Sequence, residues 1–175
     1  FITHKGYVKV LTGLGNTLLI AVIGLAIGIL IGTLLAITKV APQKTWHAKL
    51  FSKLTDGYLA LFRGTPIVVQ LLIMYYVLLP LLDLLIGDSI KINGEVFQFS
   101  KISAVIVAIV AFGLNSAAYV CEIMRSGILS VDIGQTEAGR ALGLSSSRTM
   151  CSIVLPQAIK NILPTLGNEF IALVK

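Results

Sequence analysis

The chain has 175 residues, 56% hydrophobic and only 13% charged, with a mean hydropathy of +0.92. A soluble domain carries about a quarter charged residues, so this composition excludes an ordinary water-soluble globule and places the chain in lipid. A net charge of +6 would suit nucleic acid in a soluble protein, but here the basic residues border apolar runs, where they set membrane orientation instead; no nucleic-acid partner is expected.

The first apolar run, 10–38, follows Lys5 and Lys9 and carries no charge until Lys39. It is long enough to cross about 30 Å of hydrocarbon and too long for the apolar region of a cleavable signal. Within it Ala21, Gly24, Gly28, Gly32 and Ala36 repeat at helical spacing, a pattern that lets helices approach closely in lipid. The segment Trp46 to Phe62 mixes basic and apolar residues and predicts an amphipathic helix along the inner surface. A second span covers 64–86. Between Ile90 and Phe97, Asn93-Gly94 predicts a small external hairpin. A third span covers 102–124. A fourth, 153–175, is interrupted by Pro156, Lys160, Pro164 and Glu169. The expected fold is therefore an all-α integral membrane bundle, one transmembrane domain over 1–175 with four spans visible. The chain opens on Phe1 and stops at Lys175 inside an apolar pattern, and it reads as a fragment of a longer protein.

The loops orient it. Lys39, Lys44, Lys49, Lys53 and Arg63 separate the first two spans, whereas Lys91 and Lys101 stand beside Asp83, Asp88 and Glu95 between the second and third. Short loops rich in Lys and Arg stay in the cytosol. The first connection and the third are thus inside, and the N-terminus is outside. Cys121 and Cys151 fall at the reducing face. With no metal-ligand neighbours they predict neither zinc nor a disulfide, and both read as structural. His4 and His47 carry no assigned role.

The loop 126–152 is too ordered for a connector. Gln135 to Leu142 favours helix, Gly143 suits the left-handed position that ends one, and Ser145 and Ser146 can cap a second helix running toward Pro156. A short helix, a tight turn and a further helix outside the bilayer make a knob that fits a groove on another protein. Glu137 and Arg140, three apart, can pair for a few tenths of a kcal/mol, about 0.2–0.5.

Polar residues inside spans are costly and face a cavity or a partner helix. Asn115, Tyr119 and Glu122 share one face of the third span. Asn161, Thr165 and Asn168 repeat that spacing on the fourth, with Glu169 adjacent, and Gln70 lies in the second. A zwitterionic substrate needs an acceptor for its ammonium, a role for Glu169, and donors for its carboxylate, a role for Gln70, Asn115 and Asn168. Pro164 is expected to interrupt its helix and expose backbone near the midplane. Plainer roles stand beside these. Glu122, next to Arg125, can cap the inner interface; Asn115 and Asn168 can join helices; Glu169 can pair with a partner subunit; and Arg63 reads as an inner-surface anchor.

The string Glu137-Ala138-Gly139, Gly143, then Ile153, Leu155 and Pro156 resembles the EAA loop of importer-type ABC permeases: Glu-Ala-Ala, three residues, Gly, nine residues, Ile-x-Leu-Pro. Only Gly139 departs from it, in place of the second alanine, a change that weakens a helix by up to about 1 kcal/mol. Gly15-Asn16-Thr17, Phe62-Arg63-Gly64-Thr65-Pro66 with Gln70, Asn115-Ser116-Ala117-Ala118-Tyr119 with Glu122, Leu155-Pro156-Gln157-Ala158 and Gly167-Asn168-Glu169-Phe170 are similar to polar amino acid permeases of the histidine and glutamine uptake type. The resemblance implies a type I importer bundle of five spans, the fifth following Lys175, in a bacterial cytoplasmic membrane. It implies a second permease subunit, identical or paralogous, a dimer of ATPase subunits beneath, and an extracytoplasmic amino-acid-binding protein. Glu137, Ala138, Gly139, Arg140, Gly143 and Leu144 would form the coupling helix seated on the ATPase. ATP and Mg would be bound by that partner. This chain would bind no cofactor, and it has no G-x-x-x-x-G-K-[ST] phosphate loop. The competing readings are an ATP-independent secondary transporter or channel, which leaves the loop unexplained, and a membrane enzyme, for which no paired carboxylates, nucleophile or metal cluster stand out.

Overall fold

The computed structural model describes residues 6–42, 45–86, 91–92, 95–96 and 98–175. In chain order the elements are α1 (Gly6–Val40), α2 (Trp46–Gly64), α3 (Ile67–Ile86), a two-residue antiparallel ladder of β1 (Lys91–Ile92) and β2 (Glu95–Val96), α4 (Ala104–Leu129), α5 (Ile133–Ala141) and α6 (146–174). In the ladder Lys91 pairs with Val96 and Ile92 with Glu95. The expected turn residues Asn93 and Gly94 lie outside the described residues, as do His4 and Lys44.

Among the described residues α1, α3 and α4 are long and apolar enough to cross a membrane. The helices overrun the apolar runs. At about 1.5 Å per residue, the 35 residues of α1 extend past the hydrocarbon at both ends, and α4 continues to Leu129, beyond the expected end at 124. Hydrophobicity marks what lipid covers, whereas the backbone stays helical until a cap or proline stops it. α6 spans the stretch expected as the fourth crossing, but Lys160 and Glu169 make it less apolar than the other three.

α4 lies at the centre and is the most buried of the three apolar helices. α1 runs parallel to it, joined along the small-residue stripe. Ala21, Gly24, Gly28, Gly32 and Ala36 are the buried residues of α1. A Cβ at Gly28 would stand 2.7 Å from Ser116 Oγ, and one at Gly32 would stand 2.8 Å from the Ala117 carbonyl oxygen. Two backbones meet here because neither carries bulk, the packing that replaces the hydrophobic drive between helices in lipid. α6 runs antiparallel on another side of α4, where Gly127 admits Ile162.

α2 packs against the C-terminal end of α1. Thr45 caps it by accepting from the Ala48 N–H at 3.3 Å. Its buried residues Ser52, Thr55 and Leu59 face α1 and α4. Thr55 shares a 2.9 Å hydrogen bond with Thr38, and Lys39 donates to Ser52 at 3.1 Å and to Asp56 at 2.7 Å. Leu59 joins Ala36, Ala118 and Cys121 in a core cluster, with Tyr58 and Phe62 beside it. Cys121 is therefore structural, as expected. Cys151 is exposed and has no such packing role.

The prolines act differently from expectation. α6 runs through Pro164 without a break. Widened turns stand instead before Pro80 and Pro156: the Leu79 N–H reaches Met74 O, and the Leu155 N–H reaches Met150 O, five residues back rather than four. A proline ring clashes with the carbonyl four residues earlier, and a π-bulge relieves the clash while keeping the helix continuous. At the C-terminal end of α3, Asp83 accepts from the backbone N–H groups of Phe99 and Ser100. That ties α3 to the turn that leads into α4.

Candidate functional site: the knob and the polar seam

α5 forms the expected knob, but it starts earlier than Gln135. Asp132 is its N-cap and accepts from the Gly134 N–H at 2.7 Å. The signal was present in the sequence: Asp132 followed three residues on by Gln135 is a helix-start pattern. The stop is as expected. Gly143 has φ 81°, its N–H donates to Arg140 O, and the Leu144 N–H donates to Gly139 O at 3.1 Å. These two bonds are a Schellman ending, and the left-handed residue it requires is cheapest as glycine. Ser145 then caps α6, accepting from the Arg148 N–H at 3.4 Å.

The knob leans on the foot of α6. Gly139 is its buried residue. A Cβ there would meet Thr149 Cγ2 at 2.8 Å, Thr149 Oγ1 at 3.0 Å and Ile153 Cδ1 at 3.1 Å. The one departure from the family pattern is thus the contact point, and the helix propensity it gives up is offset by closer packing. Thr149 is 1% exposed, and its hydroxyl has no hydrogen-bond partner among the described residues. Gln157 of α6 also donates to Gln135 at 3.4 Å. Glu137, Ala138, Arg140 and Gly143 are exposed and Leu144 is half-buried. Glu137 and Arg140 do not form the ion pair that their spacing allows. Each charge points to solvent, where pairing offers too little to hold two long side chains together.

The polar residues expected along a substrate path fall into separate groups around α4. On one side, the joint between α2 and α3 is extended at Thr65 and Pro66 and leaves carbonyls without helical partners. Gln70 Nε2 donates to Phe62 O at 2.8 Å and Thr65 O at 3.0 Å, and Asn115 Nδ2 donates to Phe62 O at 3.1 Å and Gln70 Oε1 at 3.0 Å. These two amides are committed to the joint and hold it on α4. One turn on, Arg63 lies over the Tyr119 ring at 5.6 Å and stands 3.8 Å from Glu122, which also accepts from Arg125 at 3.0 Å. On the α6 side, Ser116 donates to Glu169 at 2.9 Å, and Asn161 donates to Ser130 at 2.8 Å. Thr165 and Asn168 are exposed. Sequence reasoning missed Ser116 as the partner of Glu169, because a serine among alanines gives no signal of its own.

The fold and these features define a class: a helical membrane subunit whose ordered loop stands proud of the bundle. Residues 24–175 match the family described as binding-protein-dependent transport system inner membrane component, and the chain belongs to that family. It is 41% identical over 166 residues to the arginine transport system permease protein ArtQ of Bacillus subtilis, covering 95% of this chain and 66% of that protein. It is 44% identical over 159 residues to a putative glutamine transport system permease protein GlnP of Rickettsia bellii, covering 91% and 63%. The chain thus spans slightly under two thirds of the length of these relatives. A solved structure described as an amino acid ABC transporter with histidines superposes with a TM-score of 0.76 at 35% identity, over 99% of this chain and 73% of that one. An inward-facing MetNI methionine ABC transporter superposes at 0.65 with 22% identity, over 94% and 69%, a likeness of fold.

Proposed function

We propose that this chain is a pathway-forming subunit of an ATP-driven importer for a polar amino acid, moved by ATPase subunits that grip α5. The observation that carries the reading is the knob itself. It is capped by Asp132, stopped by Gly143 and seated through Gly139 on α6, with Glu137, Ala138 and Arg140 outward. A passive connector needs none of this. The relatives named for arginine and glutamine transport support the substrate class.

In this reading α1, α3, α4 and α6 cross the bacterial cytoplasmic membrane with the N-terminus outside, and the loop 126–152 is cytosolic. The partners are an ATPase dimer holding ATP and Mg, a second permease subunit, identical or paralogous, and an external amino-acid-binding protein. This chain is not itself a catalyst and binds no cofactor. The knob passes motion to α6 through Gly139, Thr149 and Ile153, and α6 carries Thr165, Asn168 and Glu169 along the pathway. Tyr119 and Glu122 line its inner end. Gln70 and Asn115 shape its wall by holding the α2–α3 joint.

Deleting residues 137–143 should abolish uptake while leaving the protein inserted. Amino-acid-stimulated ATPase activity of the reconstituted assembly, scanned across substrates, identifies the cargo. Uptake that survives the deletion, or that an ion gradient alone drives in proteoliposomes, would overturn the proposal in favour of a secondary transporter or channel.

A further inference from the structure

α2 carries three distinct faces, and the reading above uses one of them. Ser52, Thr55 and Leu59 are buried. Trp46, Leu50, Leu54 and Leu61 recur on another face at helical spacing and are 69%, 40%, 60% and 60% exposed. Lys49 and Lys53, one turn apart, border that apolar face and are exposed. Neither forms an ion pair among the described residues; the nearby acid Asp56 is engaged by Lys39 at 2.7 Å.

The faces are held in register. The Thr38–Thr55 and Lys39–Asp56 contacts fasten α2 to the end of α1, and Tyr58 donates to Leu114 O of α4. The helix cannot roll to hide its apolar side. It lies next to the end of a helix long and apolar enough to span the bilayer, which in the arrangement proposed above puts it at headgroup depth. There a tryptophan sits stably at the boundary, and lysines reach outward along their stems to the charged layer.

We infer that the Trp46–Leu54 face of α2 is a binding surface for anionic phospholipid, with Lys49 and Lys53 holding the headgroup phosphate. Charge complementarity commits the face to lipid. No acid among the described residues answers Lys49 or Lys53, and one phosphatidylglycerol molecule supplies both the acyl chain for the apolar side and the anion for the lysines. Each lysine near an anionic surface is worth about a fivefold enrichment, hence roughly thirtyfold for the pair at low salt. Screening reduces this to several-fold at physiological ionic strength.

Trp46 is the one tryptophan of this chain and reports on its own neighbours. The complete assembly, with tryptophans elsewhere replaced by phenylalanine, is placed in nanodiscs of phosphatidylcholine and phosphatidylglycerol, with bromine on the acyl chains of one lipid or the other. Both leaflets have the same composition, so the result does not depend on orientation or on transport. Brominated phosphatidylglycerol should quench Trp46 several-fold more strongly per mole than brominated phosphatidylcholine. Lys49→Gln with Lys53→Gln should equalise the two, Lys49→Glu with Lys53→Glu should reverse the order, and high salt should narrow the gap. Equal quenching in the native protein, a preference that survives in the double variants, or no quenching by either lipid would overturn the inference. The last outcome would mean that protein covers this face.

Discussion

Gly139→Ala tests the knob most sharply, because two effects oppose each other there. Alanine is the better helix former by about 1 kcal/mol, and judged by propensity alone the change should stabilise α5. The new Cβ, however, would stand 2.8 Å from Thr149 Cγ2 and 3.0 Å from Thr149 Oγ1, with Ile153 Cδ1 at 3.1 Å. Ordinary contact needs several tenths of an ångström more. Thr149 is β-branched and buried, so its freedom to swing aside is narrow. Overpacking of this kind costs about 1–3 kcal/mol, which equals or exceeds the propensity gain, and the knob must lift off α6. We expect Gly139→Ala to reduce amino-acid-stimulated ATPase activity and uptake at least severalfold with membrane insertion intact. Thr149→Ala removes the two nearest of the three obstructing atoms, leaving Ile153 Cδ1 at 3.1 Å, and also a buried hydroxyl without a partner among the described residues, so alone it should be close to neutral. The double variant should recover uptake, with a coupling energy of about 1–3 kcal/mol between the sites. The assay is uptake and ATPase activity of the reconstituted assembly, with thermal unfolding in detergent alongside. A Gly139→Ala protein as active as the native one, or a double variant worse than the single, would refute the packing argument.

Other substitutions probe the remaining links. Asp132→Ala removes the cap of α5 and should lower stability by about 1 kcal/mol, seen as faster hydrogen exchange confined to 133–141. Gly143→Ala forces a side chain into the left-handed region at a cost of about 1–2 kcal/mol and should impair coupling without steric contact, since nothing stands within 4 Å of that Cβ. Asn115→Ala takes the donor from Gln70 Oε1 and one of two donors from Phe62 O, which keeps Gln70 Nε2, costing about 1–2 kcal/mol; the melting temperature should fall, and protease cleavage near the α2–α3 joint should rise. Gly32→Ala would press on the Ala117 carbonyl oxygen at 2.8 Å, a backbone atom that cannot yield, whereas Gly13→Ala and Gly15→Ala have open space. The first should destabilise the α1–α4 pair in detergent, and the other two should be neutral or mildly stabilising.

Much of this protein is carried by local pattern. The apolar runs placed α1, α3 and α4, because the length of hydrocarbon to be crossed is written directly into uncharged sequence. The stripe from Ala21 to Ala36 announced a close helix contact, and Gly143 marked the end of the knob, since few residues other than glycine occupy φ 81° cheaply. The order of Glu137, Ala138, Gly143, Ile153 and Pro156 by itself resembles a known coupling loop.

Tertiary structure decided what each polar residue does with its hydrogen bonds. From spacing, Gln70 and Asn115 could bind substrate or, for Asn115, join helices; in three dimensions their amides go to Phe62 O and Thr65 O, because the Thr65-Pro66 break leaves carbonyls without helical partners. Glu137 and Arg140 had the right separation to pair and do not, since exposed charges gain little from it. Pro164 looked like a helix breaker and is not, while Pro80 and Pro156 widen the turns before them. Gly139, the one residue in the loop at odds with the family pattern, is explained only by Thr149 and Ile153, which reach it from ten and fourteen residues further along the chain. Periodicity and hydropathy are properties of neighbours in sequence and can be read along it. Hydrogen-bond satisfaction and close contact belong to neighbours in space, and only the packed bundle brings those together.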